Sequence, residues 1–133
     1  KQDAQCIAIE DTEPLRADIV FWDPYSPKTN PELWTVGAFA AIRRVAGPRC
    51  TLFTYSASTT VRLALLLAGW AVGVGDATGE KAFTSAAAVE IDDLARPLDR
   101  AWLRRLQRPD LRLPSDAPAD AVDRAMASRQ FRA

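Results

Sequence analysis

Short apolar runs rich in β-forming residues recur along the chain and end at turn-forming residues. Such runs are typical of strands buried on both faces, because these strands need no alternation of apolar and polar positions. Four runs predict strands: Ala17–Trp22, Cys50–Tyr55, Trp70–Val74 and Lys81–Val89. The Gly75–Glu80 segment is predicted to form the turn between the last two strands, and Ile7–Ile9 is a candidate edge of a further strand.

Apolar residues at helical spacing separate the strands. After the first strand, Asn30 is a predicted helix cap and Pro31 suits the first helical position. The apolar face of this helix comprises Trp34, Ala38, Ala41, Ile42 and Val45. Gly47-Pro48 is predicted to end it. We place Trp34, and likewise Phe39, in the core and not at a base-stacking surface.

The C-terminal part of the chain is predicted to be helical. A helix over Val61–Ala68, ended by Gly69, comes before the last two strands. After them, a helix is indicated by Leu98, Trp102, Leu103 and Leu106, with Trp102 also assigned to the core. A Pro/Asp-rich loop then covers Pro109–Pro118, and Ala119–Phe131 is predicted to form the last helix.

The order of these elements indicates an α/β fold. Strand, helix, strand, helix and two further strands is the order of the second half of a Rossmann-like sheet, whose last strand is commonly antiparallel. We therefore expect residues 1–95 to form the C-terminal part of such a domain and residues 96–133 a helical extension. The sequence contains no GxGxxG turn, so we expect the first half of the fold to lie outside this chain and the chain alone to be inactive.

The composition narrows the chemistry. The 133 residues are 48% hydrophobic and 26% charged, which is typical of one soluble domain. The absence of histidine excludes Ser-His-Asp triads, Cys-His pairs and HExxH zinc sites. Cys6 and Cys50 form no metal motif and are predicted to be buried thiols. No apolar run approaches the roughly 20 residues that span a bilayer, so a cytoplasmic location is expected.

The charge distribution singles out the C-terminal tail. Residues 1–95 carry eight Lys and Arg against twelve Asp and Glu, whereas residues 96–133 carry nine Arg against five Asp. One interpretation is an RNA-facing surface that includes Arg104, Arg105 and Arg108. The other is a solvated helix in which these arginines pair with Asp99 and Asp110.

The segment after the first strand carries the most specific motif. Asp23–Trp34 reads DPYSPKTNPELW and is similar to the DPFSPxxNPELW stretch of the MnmC-like tRNA methyltransferase family. Later segments match that family in order and spacing: Thr54-Tyr55-Ser56, Val61-Arg62, Ala68-Gly69-Trp70, Gly79-Glu80-Lys81, and Trp102-Leu103-Arg104-Arg105-Leu106 followed by Leu113-Pro114. The resemblance therefore runs from about Asp18 to Phe131.

The resemblance implies an S-adenosylmethionine-dependent methyltransferase that acts on the aminomethyl group of a tRNA wobble uridine. It makes Asp23 the expected catalytic residue and Asp23, Pro24 and Tyr25 the expected cofactor-binding residues. A carboxylate at Asp23 can accept a hydrogen bond and a proton from the amine, and Tyr25 offers an aromatic face to a cation or a base. The alternative for Asp23 is a turn-forming aspartate before proline.

The resemblance also implies partners. A tRNA enzyme needs positive charge around its pocket, and Lys28, Arg62 and Lys81 are the candidates for phosphate contact, with plain surface cations as the alternative. At Lys81 the sequence departs from the family's basic segment, since Glu80 and Ala82 flank the lysine. A fused or separate flavin-dependent oxidoreductase is the expected second partner. The rival hypothesis is a degenerate, non-catalytic domain that binds RNA or a protein, and methylation of a different amine also stays open.

Overall fold

Helices separate the first three strands in the computed structural model, which describes residues 16–23, 29–75, 77–78, 81–82 and 84–132. The strands and α-helices are β1 (Ala17–Phe21), α1 (Val36–Val45), β2 (Ala46–Thr54), α2 (Thr59–Leu67), β3 (Ala71–Val74), β4 (Ala77–Thr78), β5 (Lys81–Ala82), β6 (Ser85–Ala88) and α3 (Ala121–Met126). Four 3₁₀ helices are also described: Pro31–Trp34, Ile91–Asp93, Arg100–Gln107 and Arg129–Phe131. Cys6 and Ile7–Ile9 lie outside the described residues.

A four-stranded mixed sheet organises the fold, in the order β1-β2-β6-β3. β1 and β2 are parallel, and β6 runs antiparallel to both β2 and β3. β4 and β5 form a separate antiparallel pair. The α/β class and the antiparallel last strand that the sequence predicts are therefore confirmed.

Two predicted boundaries around α1 are wrong. Asn30 makes no capping hydrogen bond to the backbone, and Pro31–Trp34 forms a separate 3₁₀ turn. The cap of α1 is Thr35, whose hydroxyl accepts a hydrogen bond from the Ala38 amide at 3.1 Å. At the other end, Gly47-Pro48 does not separate helix from strand, because β2 begins at Ala46 directly after α1. Proline is tolerated there since it lies near the start of the strand.

The segment predicted as one strand over Lys81–Val89 is divided into two. β5 closes a short hairpin with β4, whereas β6 pairs with β2 and β3 in the main sheet. The polar residue Thr84 lies between them, and its amide donates to the Thr54 carbonyl at 3.1 Å. An apolar run alone does not reveal this change of pairing partner.

One face of the sheet, here called the packed face, carries the core. Val20, Leu52, Val72 and Ala87 point from the four strands into a single apolar cluster. The helices α1 and α2 cover this face, and Phe39 of α1 is fully buried. The same cluster includes residues from beyond position 95: Leu98, Trp102, Leu103, Leu106, Ala125 and Phe131. The C-terminal extension thus shares one core with the sheet.

The opposite face of the sheet is open near β1. Ile19 and Phe21 are 57% and 63% exposed, and Phe21 stacks on Phe53 of β2 with ring centroids 6.0 Å apart. Further along the sheet, Ala86 and Ala88 are covered by Leu94. Apolar surface is therefore exposed beside the end of β1.

Gly73 is required by a close approach of two backbones. A bridge joins Gly73 in β3 to Pro97, and a Cβ added to Gly73 would lie 2.6 Å from the Arg96 carbonyl oxygen. We expect Gly73→Ala in the intact protein to lower the free energy of unfolding by about 1–3 kcal/mol, because backbone must move to relieve the contact. Urea unfolding measures this change. Val74→Ala, at a partly exposed neighbour, should cost less, and equal effects would contradict the role of Gly73.

Candidate functional site

The parallel strands β1 and β2 end together at one edge of the sheet, here called the catalytic edge. Phe21 is paired with Phe53, and the Trp22 amide donates to the Phe53 carbonyl at 2.8 Å. Asp23 and Tyr55 each lie two residues beyond this pair, just after the ends of two adjacent strands, and both are exposed. The carboxyl ends of parallel strands are where open α/β sheets bind ligands. The fold therefore places the Asp23 carboxylate at the expected edge.

Trp22 fixes the point at which the chain leaves the core. Its side chain is 2% exposed, and its indole nitrogen donates to the Leu33 carbonyl at 3.1 Å. The ring packs edge-on against Phe39, with centroids 6.0 Å apart. Because a buried aromatic with a satisfied nitrogen has few alternative positions, the next residue, Asp23, is held close to the sheet.

A network of hydroxyl and backbone groups holds the loop after β2. The Ser85 hydroxyl donates to the Ser56 carbonyl at 2.5 Å, and the Thr84 hydroxyl donates to the Tyr55 carbonyl. Thr54 contributes its hydroxyl as an acceptor for the Ser56 amide at 3.4 Å. The segment Thr54-Tyr55-Ser56 is therefore tied to the start of β6, which restricts the conformation of the backbone at this part of the catalytic edge.

Arg62 belongs to the same network. Its side chain is mostly buried, with 9% of the residue exposed, and its Nε donates to the Ser85 hydroxyl at 2.8 Å. An Nη atom donates to the Thr84 carbonyl at 2.6 Å. Burial, and then the charge of Arg105, lower the pKa of the Arg62 guanidinium. The geometry favours a structural role for Arg62 over the phosphate contact expected from sequence.

The structure gives little information on the other predicted site residues. Pro24, Tyr25 and Lys28 lie outside the described residues, and Lys81 is placed only as a backbone position in β5. The assignment of aromatic residues to the core is confirmed, since Trp34, Phe39 and Trp102 are all buried.

Among the clefts lined by described residues, two lie at opposite ends of the main sheet. The larger, of about 410 Å³, is lined by Arg43, Trp70 and Arg129 among others and lies at the amino end of β3, away from Asp23. The smaller, of about 200 Å³, lies at the amino end of α2, on the side of the catalytic edge. Position relative to the strand ends, not volume, identifies the candidate site.

Potential metal-ligating side chains do not cluster in the part of the chain that the structure describes. Within these residues, His, Cys, Asp and Glu side chains form no group of three or more that fits a metal ion. Cys50 is a free, buried thiol, as predicted, and burial raises its pKa. No described helix is long and apolar enough to cross a membrane.

Sequence reasoning missed two residues near the catalytic edge. Asp116 accepts hydrogen bonds from the Val36 and Gly37 amides at 3.0 and 2.8 Å and so caps α1 from the C-terminal extension. Arg112 lines the smaller cleft. The contact of Asp116 joins residues some 80 positions apart and leaves no local pattern in the sequence, so this role was not detectable. For Arg112, the four-residue spacing from Arg108 was a weak signal.

The fold and the edge geometry define a Rossmann-like methyltransferase region, and comparison with known proteins agrees. Residues 2–90 match the model of a family described as S-adenosyl-L-methionine-dependent methyltransferases. The match covers more than half of the chain, and the chain belongs to this family.

Individual relatives give the same result. The chain is 40% identical over 67 residues to the tRNA 5-methylaminomethyl-2-thiouridine biosynthesis bifunctional protein MnmC of Paraburkholderia phymatum, and 46% identical over 54 residues to that of Aromatoleum aromaticum. These alignments cover 50% and 41% of this chain but 10% and 8% of the relatives. The crystal structure of MNMC2 from Aquifex aeolicus matches with a TM-score of 0.67 and 28% identity, over 94% of this chain and 42% of that one.

The described edge fits one part of the family's cofactor chemistry. A sulfonium cofactor favours a nearby carboxylate, and Asp23 exposes one just beyond the end of β1. When bound, S-adenosyl-L-methionine supplies the methyl group. Among the described residues, Asp23 is the one we expect to approach that group; the predicted contacts of Pro24 and Tyr25 lie outside them.

Proposed function

We propose that this chain forms the acceptor side of a methyltransferase that methylates the aminomethyl group of a tRNA wobble uridine. The observation that carries the proposal is the exposed Asp23 carboxylate at the carboxyl end of β1, on the catalytic edge. The relatives' names, which refer to tRNA 5-methylaminomethyl-2-thiouridine biosynthesis, support the choice of substrate. The relatives are much longer than this chain, so the complete reaction belongs to the intact protein.

Asp23 would position the amine and receive its proton. An amine attacks a methyl group through its lone pair, so the amine must be neutral and correctly oriented. The Asp23 carboxylate would accept a hydrogen bond from one N–H group, which directs the lone pair away from the carboxylate. The new N–C bond would form as the methyl–sulfur bond of the bound sulfonium cofactor breaks and a neutral thioether leaves. The nitrogen would then be more acidic, and its proton would pass to Asp23 directly or through water.

The surroundings of Asp23 support this role. Trp22 is anchored in the core on one side, and the loop after β2 is tied to β6 on the other. A carboxylate held on rigid elements needs little reorganisation to meet the amine. We further propose that Pro24 and Tyr25 complete this wall and that Lys28 and Lys81 contact RNA phosphates, while Arg62 supports the loop from inside.

Methyl transfer to defined tRNAs tests the proposal. The intact protein should transfer a labelled methyl group from S-adenosyl-L-methionine to tRNA that carries an aminomethyl wobble uridine, and not to the same tRNA with an unmodified uridine. A flavin-dependent oxidoreductase that prepares the aminomethyl group remains the predicted partner.

A further inference from the structure

The C-terminal extension runs along the catalytic edge. It caps α1 through Asp116, and it reaches α2 through Arg112, whose carbonyl accepts a hydrogen bond from the Thr60 hydroxyl at 2.6 Å. α1 is the first described α-helix after β1, and α2 follows β2; both strands end at this edge. The extension therefore crosses the amino ends of two helices on the same side of the sheet as Asp23.

The extension and α2 enclose the smaller cleft, of about 200 Å³. Its polar lining comprises Thr59, Thr60, Arg105, Arg108, Asp110 and Arg112. A 3₁₀ helix has three residues per turn, so Arg105 and Arg108 follow one another along one row of the helix Arg100–Gln107 and its end. Arg104 lies on a different row and does not line the cleft.

No described carboxylate forms an ion pair with Arg105, Arg108 or Arg112, the three arginines of the cleft. Over the described residues, the ion pairs join Arg49 to Asp93 and Arg124 to Asp120. Asp99, one of the acidic partners considered from sequence, instead caps the 3₁₀ helix, accepting from the Ala101 and Trp102 amides. The arginines are exposed, and Asp110 alone opposes their charge in the cleft.

Two further features make the cleft favourable for an anion. The amino end of α2, a nine-residue helix, carries the positive end of the helix dipole. The field of Arg105 also extends to Arg62, where it adds to burial in lowering the pKa of the guanidinium. Arg62 in turn bonds to Ser85, which holds the loop after β2. The positive charge of the cleft thus lies next to the network that shapes the catalytic edge.

We propose that the cleft formed by Arg105, Arg108 and Arg112 with the amino end of α2 binds backbone phosphates of the tRNA beside the nucleotide that is modified. This inference rests on the proposed function, since it assumes a tRNA substrate. Phosphate fits the cleft because guanidinium forks bind its oxygens in pairs and helix amino ends bind it in general.

The test replaces the three arginines together. We expect Arg105→Gln/Arg108→Gln/Arg112→Gln in the intact protein to weaken tRNA binding and to make the slope of log affinity against log salt shallower by roughly two to three units, about one for each lost phosphate contact. The measurement is tRNA affinity by filter binding at several salt concentrations. Thermal unfolding of the same preparation shows whether the variant is folded.

Matched variants separate a local site from a general loss of charge. Arg44→Gln/Arg104→Gln/Arg132→Gln removes the same charge from exposed positions outside the cleft and should leave the slope within about half a unit of the original. Arg105→Lys/Arg108→Lys/Arg112→Lys keeps the charge and should keep most of the slope. It should lose part of the affinity, because lysine cannot bind two phosphate oxygens with one planar group.

The outcomes distinguish this inference from the function on which it rests. If the unaltered protein methylates tRNA but the cleft variant keeps the original slope, or if the control triple lowers the slope equally, the cleft is not a phosphate site and the proposed function stands. If the unaltered protein neither binds nor methylates tRNA, both proposals fail. Polyglutamate could also be added at the same concentration of negative charge as the bound tRNA. Displacement of the tRNA under these conditions would overturn the inference, since it would indicate an acidic protein ligand.

Discussion

Asp23→Asn in the intact protein is expected to lower the rate of methyl transfer by about 10²-fold or more, the lower end of typical general-base contributions. Asparagine keeps the size and one acceptor oxygen of the side chain but cannot receive the proton of the amine. Because Asp23 is exposed and its strand is anchored by Trp22, the fold should not change. Single-turnover transfer to tRNA with an aminomethyl wobble uridine measures the rate.

Asp18→Asn provides the matched control. Asp18 is an exposed carboxylate near the start of β1, whereas Asp23 follows the other end of that strand. Its replacement should leave the rate within about twofold, since charge at that distance is screened by solvent. Near-normal turnover of Asp23→Asn would identify Asp23 as a turn-forming residue, and an equal loss in Asp18→Asn would indicate an unspecific effect of charge.

Phe39→Ala is expected to have the largest effect on stability, a loss of about 3–5 kcal/mol in the free energy of unfolding. Phe39 is fully buried between two indole rings, with its centroid 6.0 Å from that of Trp22 and 6.4 Å from that of Trp34. Its removal leaves a cavity that these rigid rings cannot fill. The same loss should loosen Trp22, which fixes the exit of the chain toward Asp23.

Urea unfolding of the intact protein measures this change. Leu113→Ala is the control, because Leu113 is 45% exposed and its truncation should cost less than about 1 kcal/mol. A loss below about 1 kcal/mol for Phe39→Ala would contradict the assignment of this residue to the centre of the core.

The fold was largely predictable because its strands are apolar runs and its helices have one apolar face. β1 and α2 lie within two residues of their predicted bounds, and Gly69 ends α2 with a φ of 102°, which glycine adopts without strain. The error at the start of α1 occurred where two local signals compete. Asn30-Pro31 resembles a helix start, but Thr35 provides the cap that α1 uses.

The candidate site was less predictable, since side-chain environment depends on residues distant in sequence. The sequence predicted a phosphate contact for Arg62, with a surface cation as the alternative, but Ser85 and Thr84 offer it internal acceptors 22 or more residues away. The basic tail was recognised by composition, but the spatial grouping of its arginines was not: Arg112 joins Arg105 and Arg108 at the cleft, and Arg104 does not. Only the folded chain reveals which arginines converge.

The most direct test of the central claim is nucleoside mass spectrometry after methyl transfer by the intact protein. The tRNA with an aminomethyl wobble uridine is incubated with the protein and S-adenosyl-L-methionine and then digested to nucleosides. A parallel reaction contains the Asp23→Asn variant in place of the unaltered protein. We predict that the wobble uridine gains one methyl group on its aminomethyl nitrogen, at a rate that the substitution strongly reduces. The account would be contradicted if the aminomethyl wobble uridine gained no methyl group although the protein is folded and binds tRNA. A methyl group on another nucleoside would also contradict it.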